Sequence, residues 1–270
     1  MTTETLKVGD VLLTRVSYAE IEVEPEQVGL TADEVTAAGA PSEWVTNDKP
    51  RASASAWIID HAGARIVVDP AGAVDDILRN DNDAAMHQEA FAALLEEAGY
   101  PRERITHAVA THLDGIGMLA WRNDDGSWAP FFPNAPILMS QRELDAIDSL
   151  PFELQGRKVL AELETQGAVQ GTGEHEDLTE AVAFDFTGGH NPGHMVVRIE
   201  SNGEQAIMLG HLALTPLHVA LQKDSNHMDA AVANERLREL LEEDAILVGP
   251  LWPSPAAGRW NGTEVVPLTL

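Results

Sequence analysis

The heptapeptide Thr111-His112-Leu113-Asp114-Gly115-Ile116-Gly117 follows directly on the apolar run Ile105 to Ala110. A short apolar run bounded by turn residues reads as a buried strand. His112 and Asp114 therefore stand where a core strand runs out into a glycine-containing turn, a place at which a rigid scaffold holds polar side chains within reach of solvent. Upstream, Met86, Ala90, Phe91, Leu94, Leu95 and Ala98 share one helical face that Gly99 terminates. Further back, Ala56 to Asp60 and Ala64 to Asp69 flank His61-Ala62-Gly63 as an antiparallel hairpin. After a short polar start, Val11 to Val16 and Ile21 to Val23 are β-prone. Residues 24 to 55, rich in Glu, Ala, Pro and Ser and helix-prone only near Ala32 to Ala38, read as a lid or an irregular surface excursion.

Downstream, Pro136 to Met139 reads as a strand, and Gln141 to Leu150 and Phe152 to Gln166 as helices broken at Pro151. Ala181 to Phe186, Met195 to Glu200 and Gln205 to Leu209 return to strand character. Asp229 to Glu243 is helical with Val232, Leu237, Leu240 and Leu241 on its apolar side, and a strand at Ala245 to Val248 precedes a Pro-rich tail. Two sets of largely antiparallel strands with intervening helices predict an α+β, four-layer αββα sandwich, formed by residues 1–270 as one domain.

Composition narrows the function classes. At 270 residues with 44% apolar content the chain can bury a sizeable core. Its net charge of −27 repels nucleic acid and anionic membrane surfaces, leaving a small molecule as the expected partner. The absence of cysteine excludes disulfides and thiolate ligands, so any metal must sit on His and carboxylate. No basic-then-apolar leader follows Met1, and no uncharged apolar run reaches the roughly 18 residues of a membrane span. The expected location is the cytoplasm.

Two further segments complete the functional pattern: Gly189-His190-Asn191-Pro192-Gly193-His194-Met195 between strands, and Ile207-Met208-Leu209-Gly210-His211 at the end of one. With the first, they resemble the metallo-β-lactamase superfamily, in particular its lactonase-like hydrolases. The counterparts there are T-H-x-H-x-D-H-x-G, an H-x-P-G-H segment whose last His binds metal, and a strand ending in Gly-Asp. Asp125 to Trp128, Phe132 to Ala135 and Gly249 to Pro253 support the resemblance, which covers roughly residues 53 to 255. It implies hydrolysis of a small ester, lactone or amide, and often a homodimer.

The same resemblance exposes a dismantled two-metal site. His112, Asp114 and His194 keep their type, whereas the motif's second His has no counterpart, Gly115 takes the place of its final His, His211 that of the bridging Asp and Leu251 that of the late His. Divalent cations need three or more protein ligands to compete with water, so at most one metal is expected, a zinc, manganese or iron ion on His112, His194 and His211. His112, His194 and Asp114 are the candidate catalytic residues, Asp114 orienting water or acting as general base. The alternative is metal-free: a lyase, isomerase or cyclase using the same residues, or a non-catalytic ligand binder.

Other residues carry weaker expectations. His190 reads as orienting the loop rather than touching substrate, and Asp69 either as support for the site or as a turn cap. His218 and His227 are surface or core residues unless they line the pocket. His61, His87, His107 and His175 are structural, in a turn, a helix, a strand and an acidic loop. Met118, Trp121, Trp128, Phe131 and Phe132 read first as core and second, with Trp252, as the wall of an apolar substrate site.

Overall fold

Along the central hairpin the side chains divide with period two. Trp57, Ile59, Ile66 and Val68 enter one apolar cluster, and Ala56, Ile58 and Val67 enter another on the opposite face. A sheet apolar on both faces must be covered on both, and that requirement generates the architecture. The computed structural model describes residues 2–41, 43–70, 81–113, 117–149, 154–223 and 228–268, with the backbone alone at 2, 81–87, 117 and 154–156.

The first sheet contains β1 (Thr2–Val8), β2 (Val11–Glu22), β3 (Val45–Thr46), β4 (Lys49–His61), β5 (Ala64–Val68), β6 (His107–Val109), β9 (Ile137–Ser140) and β10 (Val169–Thr172). Its order is β1-β2-β4-β5-β6-β9-β10, with β3 on β4; pairing is antiparallel as far as β5 and parallel beyond it. The strands β7 (Ala120–Arg122) and β8 (Trp128–Pro130) form a separate ribbon. The second sheet runs in sequence order through β11 (His175–Thr179), β12 (Val182–Phe186), β13 (Met195–Ser201), β14 (Glu204–Met208), β15 (Ile246–Val248), β16 (Ala257–Trp260) and β17 (Val265–Pro267).

Helices complete the layers. Phe91 and Leu95 of α2 (Asp81–Glu97) and Val159, Leu160 and Leu163 of α4 (Leu154–Thr165) pack on the outer face of the first sheet. Leu217 of α5 (Pro216–Leu221) and Leu237 and Leu240 of α6 (Ala230–Leu241) join the cluster that also fills the space between the sheets. A short α3 (Gln141–Ala146) follows β9 directly, capped by the Ser140 hydroxyl. The expected αββα sandwich is therefore the observed fold.

Several elements differ from expectation. The polar start is an edge strand, β1, in which Val8 is fully buried; an edge needs few inward apolar residues, so its pattern is weak. The tail contributes β16 and β17 at the other sheet's edge, and His175 lies on β11 rather than in a loop. Val232 is 36% exposed because the buried stripe of α6 runs through Ala233, Leu237, Leu240 and Leu241, one position round the helix. The break at Pro151 lies outside the described residues. The stretch 24 to 55, expected as a lid or irregular excursion, is strand at its end, where 49–55 belong to β4 and Val45–Thr46 form β3; before that it holds a 3-10 turn at Pro25–Val28 and the short helix α1 (Ala32–Ala37), and it buries Val28, Leu30, Val35 and Trp44 in the core between layers.

Two polar ties hold this excursion and the tail. Arg15, fully buried on β2, reaches Glu4, Glu20, Ser53 and, at 3.0 Å, the carbonyl of Trp252. His218 Nε2 donates to the carbonyl of Val28 at 2.9 Å, and its Nδ1 accepts from the amide of Thr215 at 3.1 Å.

Candidate metal centre

Four histidines converge at one end of the sandwich. His112 lies three residues beyond β6, His190 and His194 in the loop from β12 to β13, and His211 in the 3-10 turn Gly210–Ala213 after β14. The His112 ring lies 4.0 Å from that of His211, 4.8 Å from that of His190 and 5.5 Å from that of His194, centroid to centroid. One ligand atom each from His112, His190 and His211 lie within 4.8 Å of one another. His112, His190 and His194 are buried and His211 is half-buried.

The loops that carry them are held together by the backbone. The amide of Met195, which opens β13, donates to the carbonyl of Thr111 at 2.8 Å and so joins the two sheets at the site. Gly210 has φ +55°, and a Cβ there would lie 2.6 Å from Thr111 Oγ1 and 2.7 Å from His194 Nε2. Only glycine permits both the turn and that approach.

Hydrogen bonds decide the tautomer of His112. Asp69 occupies an unusual φ of +39° just after β5, and its carboxylate accepts from the Thr111 amide at 2.8 Å and from the Thr111 hydroxyl at 2.6 Å. That hydroxyl has one proton, already donated to Asp69, so at 2.9 Å from His112 Nδ1 it accepts. His112 therefore carries its proton on Nδ1 and its lone pair on Nε2, as a metal ligand or a general base requires. A similar arrangement surrounds His194: Thr187 Oγ1 donates to the His194 carbonyl at 3.1 Å and lies 2.7 Å from His194 Nδ1.

The structure thus brings together His112, His194 and His211 and adds His190, whose ring belongs to the cluster instead of merely bracing the loop. No spacing in the sequence distinguishes His190 from a turn residue; the fold back through Gly188 and Gly189, both at positive φ, swings it inward. Asp69 supports the site through Thr111. Asp114 and His227 lie outside the described residues. His218 is core, fully buried, and burial pushes its pKa down to about 4. Met118, Trp128, Phe131 and Phe132 are buried in the core under α2 and α4, and Arg102 stacks 4.2 Å above the Trp121 ring. Trp252 is fully buried, its indole donating to the Ala213 carbonyl at 3.0 Å, so it packs the core and lines no cleft.

The donor set fits one borderline-soft divalent ion: three imidazole nitrogens, one of them with its lone pair fixed on Nε2. Among the described residues no carboxylate joins the three-histidine group, and Gly115 and Leu251 offer no side-chain donor where the resemblance expects histidine.

Two mixed sheets packed face to face between helical layers, with a histidine cluster at the strand ends, define the metallo-β-lactamase fold, and this chain has it. Solved structures bear this out over nearly the whole length. A hydrolase of the β-lactamase superfamily, AbOPH, superposes with a TM-score of 0.74 at 16% identity, covering 99% of this chain and 98% of its own. The dizinc quorum-quenching lactonase AidC, in complex with a homoserine product, gives 0.74 at 17% over 99% and 98%. A probable metal-dependent hydrolase from Staphylococcus aureus gives 0.73 at 14% over 98% and 100%. At these identities the likeness is one of fold. No protein-family model matches the sequence, and no curated protein does.

Proposed function

We propose that this protein hydrolyses a small ester, lactone or amide with the help of one divalent metal ion. The observation that carries the reading is the convergence of ligand atoms from His112, His190 and His211 within 4.8 Å. These three would hold the ion. His194, expected as the third ligand from its place in the motif, stands beside them, its ring 5.5 Å from those of His112 and His190 and its Nδ1 held by Thr187. An ion held there supplies a Lewis acid for a carbonyl oxygen and lowers the pKa of a water. The chain's own residues do the rest. Asp69 and Thr111 keep the His112 lone pair on Nε2, and Asp114, two residues on, takes the proton from the attacking water. The reaction class agrees with fold neighbours described as hydrolases and lactonases, AidC being a lactonase seen with N-hexanoyl-L-homoserine.

The test is elemental analysis of untagged protein purified without chelator, followed by assays on lactones and aryl esters. Near one equivalent of zinc is expected, lost together with hydrolysis in His112→Ala and His211→Ala. A content near zero, with no rise in thermal stability on adding zinc, manganese or iron, would overturn the reading in favour of a metal-independent or purely binding role.

A further inference from the structure

A carboxylate that the reaction does not use sits behind the histidine cluster. Glu143, in the first turn of α3, is fully buried. Its Oε1 accepts from the amide of Leu113 at 2.8 Å and from Asn191 Nδ2 at 2.8 Å, and its Oε2 accepts from the amide of Gly193 at 2.9 Å. All three donors belong to the two loops that present His112, His190 and His194. A fully buried carboxylate is costly unless its oxygens are satisfied, and here both are satisfied by groups adjoining the candidate ligands. The contact is also close. A Cβ on Gly193 would lie 2.2 Å from the Glu143 amide nitrogen, so the Pro192-Gly193 turn rests on the first turn of α3.

We infer that Glu143 is a positioning residue that locks the loop after β6 to the loop before β13 and thereby sets the spacing of His112 relative to His190 and His194. The role follows from where the donors lie. Leu113 is next to His112, Asn191 next to His190, and Gly193 next to His194, so one rigid carboxylate fixes three positions, each one residue from an imidazole. No other residue type does this at the same length. A glutamine in its place would offer one oxygen for Leu113 and Asn191 but turn its NH2 toward the Gly193 amide, donor against donor. An aspartate would fall a methylene short. The inference extends the proposed function by naming what holds its ligands in register, and it rests on that reading only where metal is measured.

The experiment compares Glu143→Gln and Glu143→Ala with Leu95→Ala, a destabilising control in the buried face of α2. Zinc affinity is measured by competition with a chromophoric chelator, and amide hydrogen exchange is followed at Leu113 and Gly193 in metal-free protein. Both Glu143 variants are expected to lose about 10- to 100-fold in zinc affinity and to lose protection at Gly193 beyond any global loss. Leu95→Ala, compared at equal margin below its melting temperature, should keep both. Glu143→Gln within about twofold of wild type in affinity and with Gly193 protection intact would overturn the inference, as would an equal loss in Leu95→Ala. If the wild-type protein binds no zinc, the metal reading fails, and the exchange data still decide whether Glu143 fixes the loops.

Discussion

Lowering the pH should destabilise this protein through a single buried histidine, and His218 sets both the window and the size. In the fold its Nδ1 accepts from the Thr215 amide while Nε2 donates to the Val28 carbonyl. Only the neutral ring with its proton on Nε2 satisfies both. Burial dominates the shift, lowering the pKa from 6.5 to about 4, with Lys223 acting in the same direction and Glu34 and the two backbone bonds opposing it. Because the folded value lies below the unfolded one, the unfolded chain binds more protons between them. The contribution is therefore intact above pH 6.5 and is lost as pH falls toward 4. A gap of that size amounts to about 3 kcal/mol in full, and to roughly 2 kcal/mol between about pH 8 and pH 5. With dozens of carboxylates titrating as well, the difference against His218→Gln isolates it, since glutamine keeps a donor near Nε2 and does not titrate. Urea denaturation of both proteins at about pH 8, 6.5 and 5 is the assay. Wild type should lose about 2 kcal/mol more than the variant by pH 5. Parallel pH profiles would refute the assignment of a neutral, locked His218.

Removing the charge from the buried arginine by Arg15→Met should cost about 3 kcal/mol, because Glu4 and Glu20 lose the guanidinium that compensates their partial burial; urea unfolding near neutral pH measures it, and a loss under about 1 kcal/mol would show the network to be idle. Thr111→Val severs the link between Asp69 and His112. Zinc affinity should fall about tenfold, with a melting temperature no lower than that of a Thr14→Val control, and unchanged affinity would mean the tautomer is set by something else.

How much of this was readable in advance follows from how locally each feature is encoded. The second half of β4, the strands β5, β6 and β12 to β15 and the helices α2 and α6 announce themselves by apolar periodicity, since each buries a full face or both faces, whereas the first half of β4, Lys49 to Ser55, is too poor in large apolar residues to be read as strand. Edge strands do not: β1, β16 and β17 lie at or near the sheet margins and tolerate Thr, Lys and Pro, so their alternation is diluted. The site divides in the same way. His112, His194 and His211 stand in the three segments that carry the resemblance, the first of them two residues short of its counterpart, but His190 enters the cluster only because two consecutive glycines at positive φ reverse the chain. Glu143 is less legible still. It looks like any acidic first-turn residue favoured by the helix dipole, and its role exists only because tertiary folding brings two loops onto it from 30 and 50 residues away. Local pattern cannot encode a contact whose partners are set by the packing of separate elements.

The presence of His211 where the resemblance expects a carboxylate has a consequence for metal selection. Three neutral imidazoles leave the +2 charge of an ion undiminished, whereas a bridging carboxylate would cancel part of it and draw in harder ions. Imidazole donors favour zinc, copper, nickel and iron over manganese and magnesium, and Zn²⁺ lies above Mn²⁺ in the intrinsic affinity order as well. The two effects act in one direction, so zinc should displace manganese at equal concentration by a wide margin. Equilibrium dialysis of metal-free protein against equimolar zinc and manganese, with metal content read per chain, tests this. Retention of zinc near one equivalent with little manganese is expected, and it should vanish in His211→Ala. Placing a carboxylate in the set by His211→Asp should narrow the preference for zinc, because a hard oxygen then replaces an imidazole nitrogen. A wild-type site that took manganese in preference would mean that oxygen ligands dominate it, and the three-histidine assignment would fall.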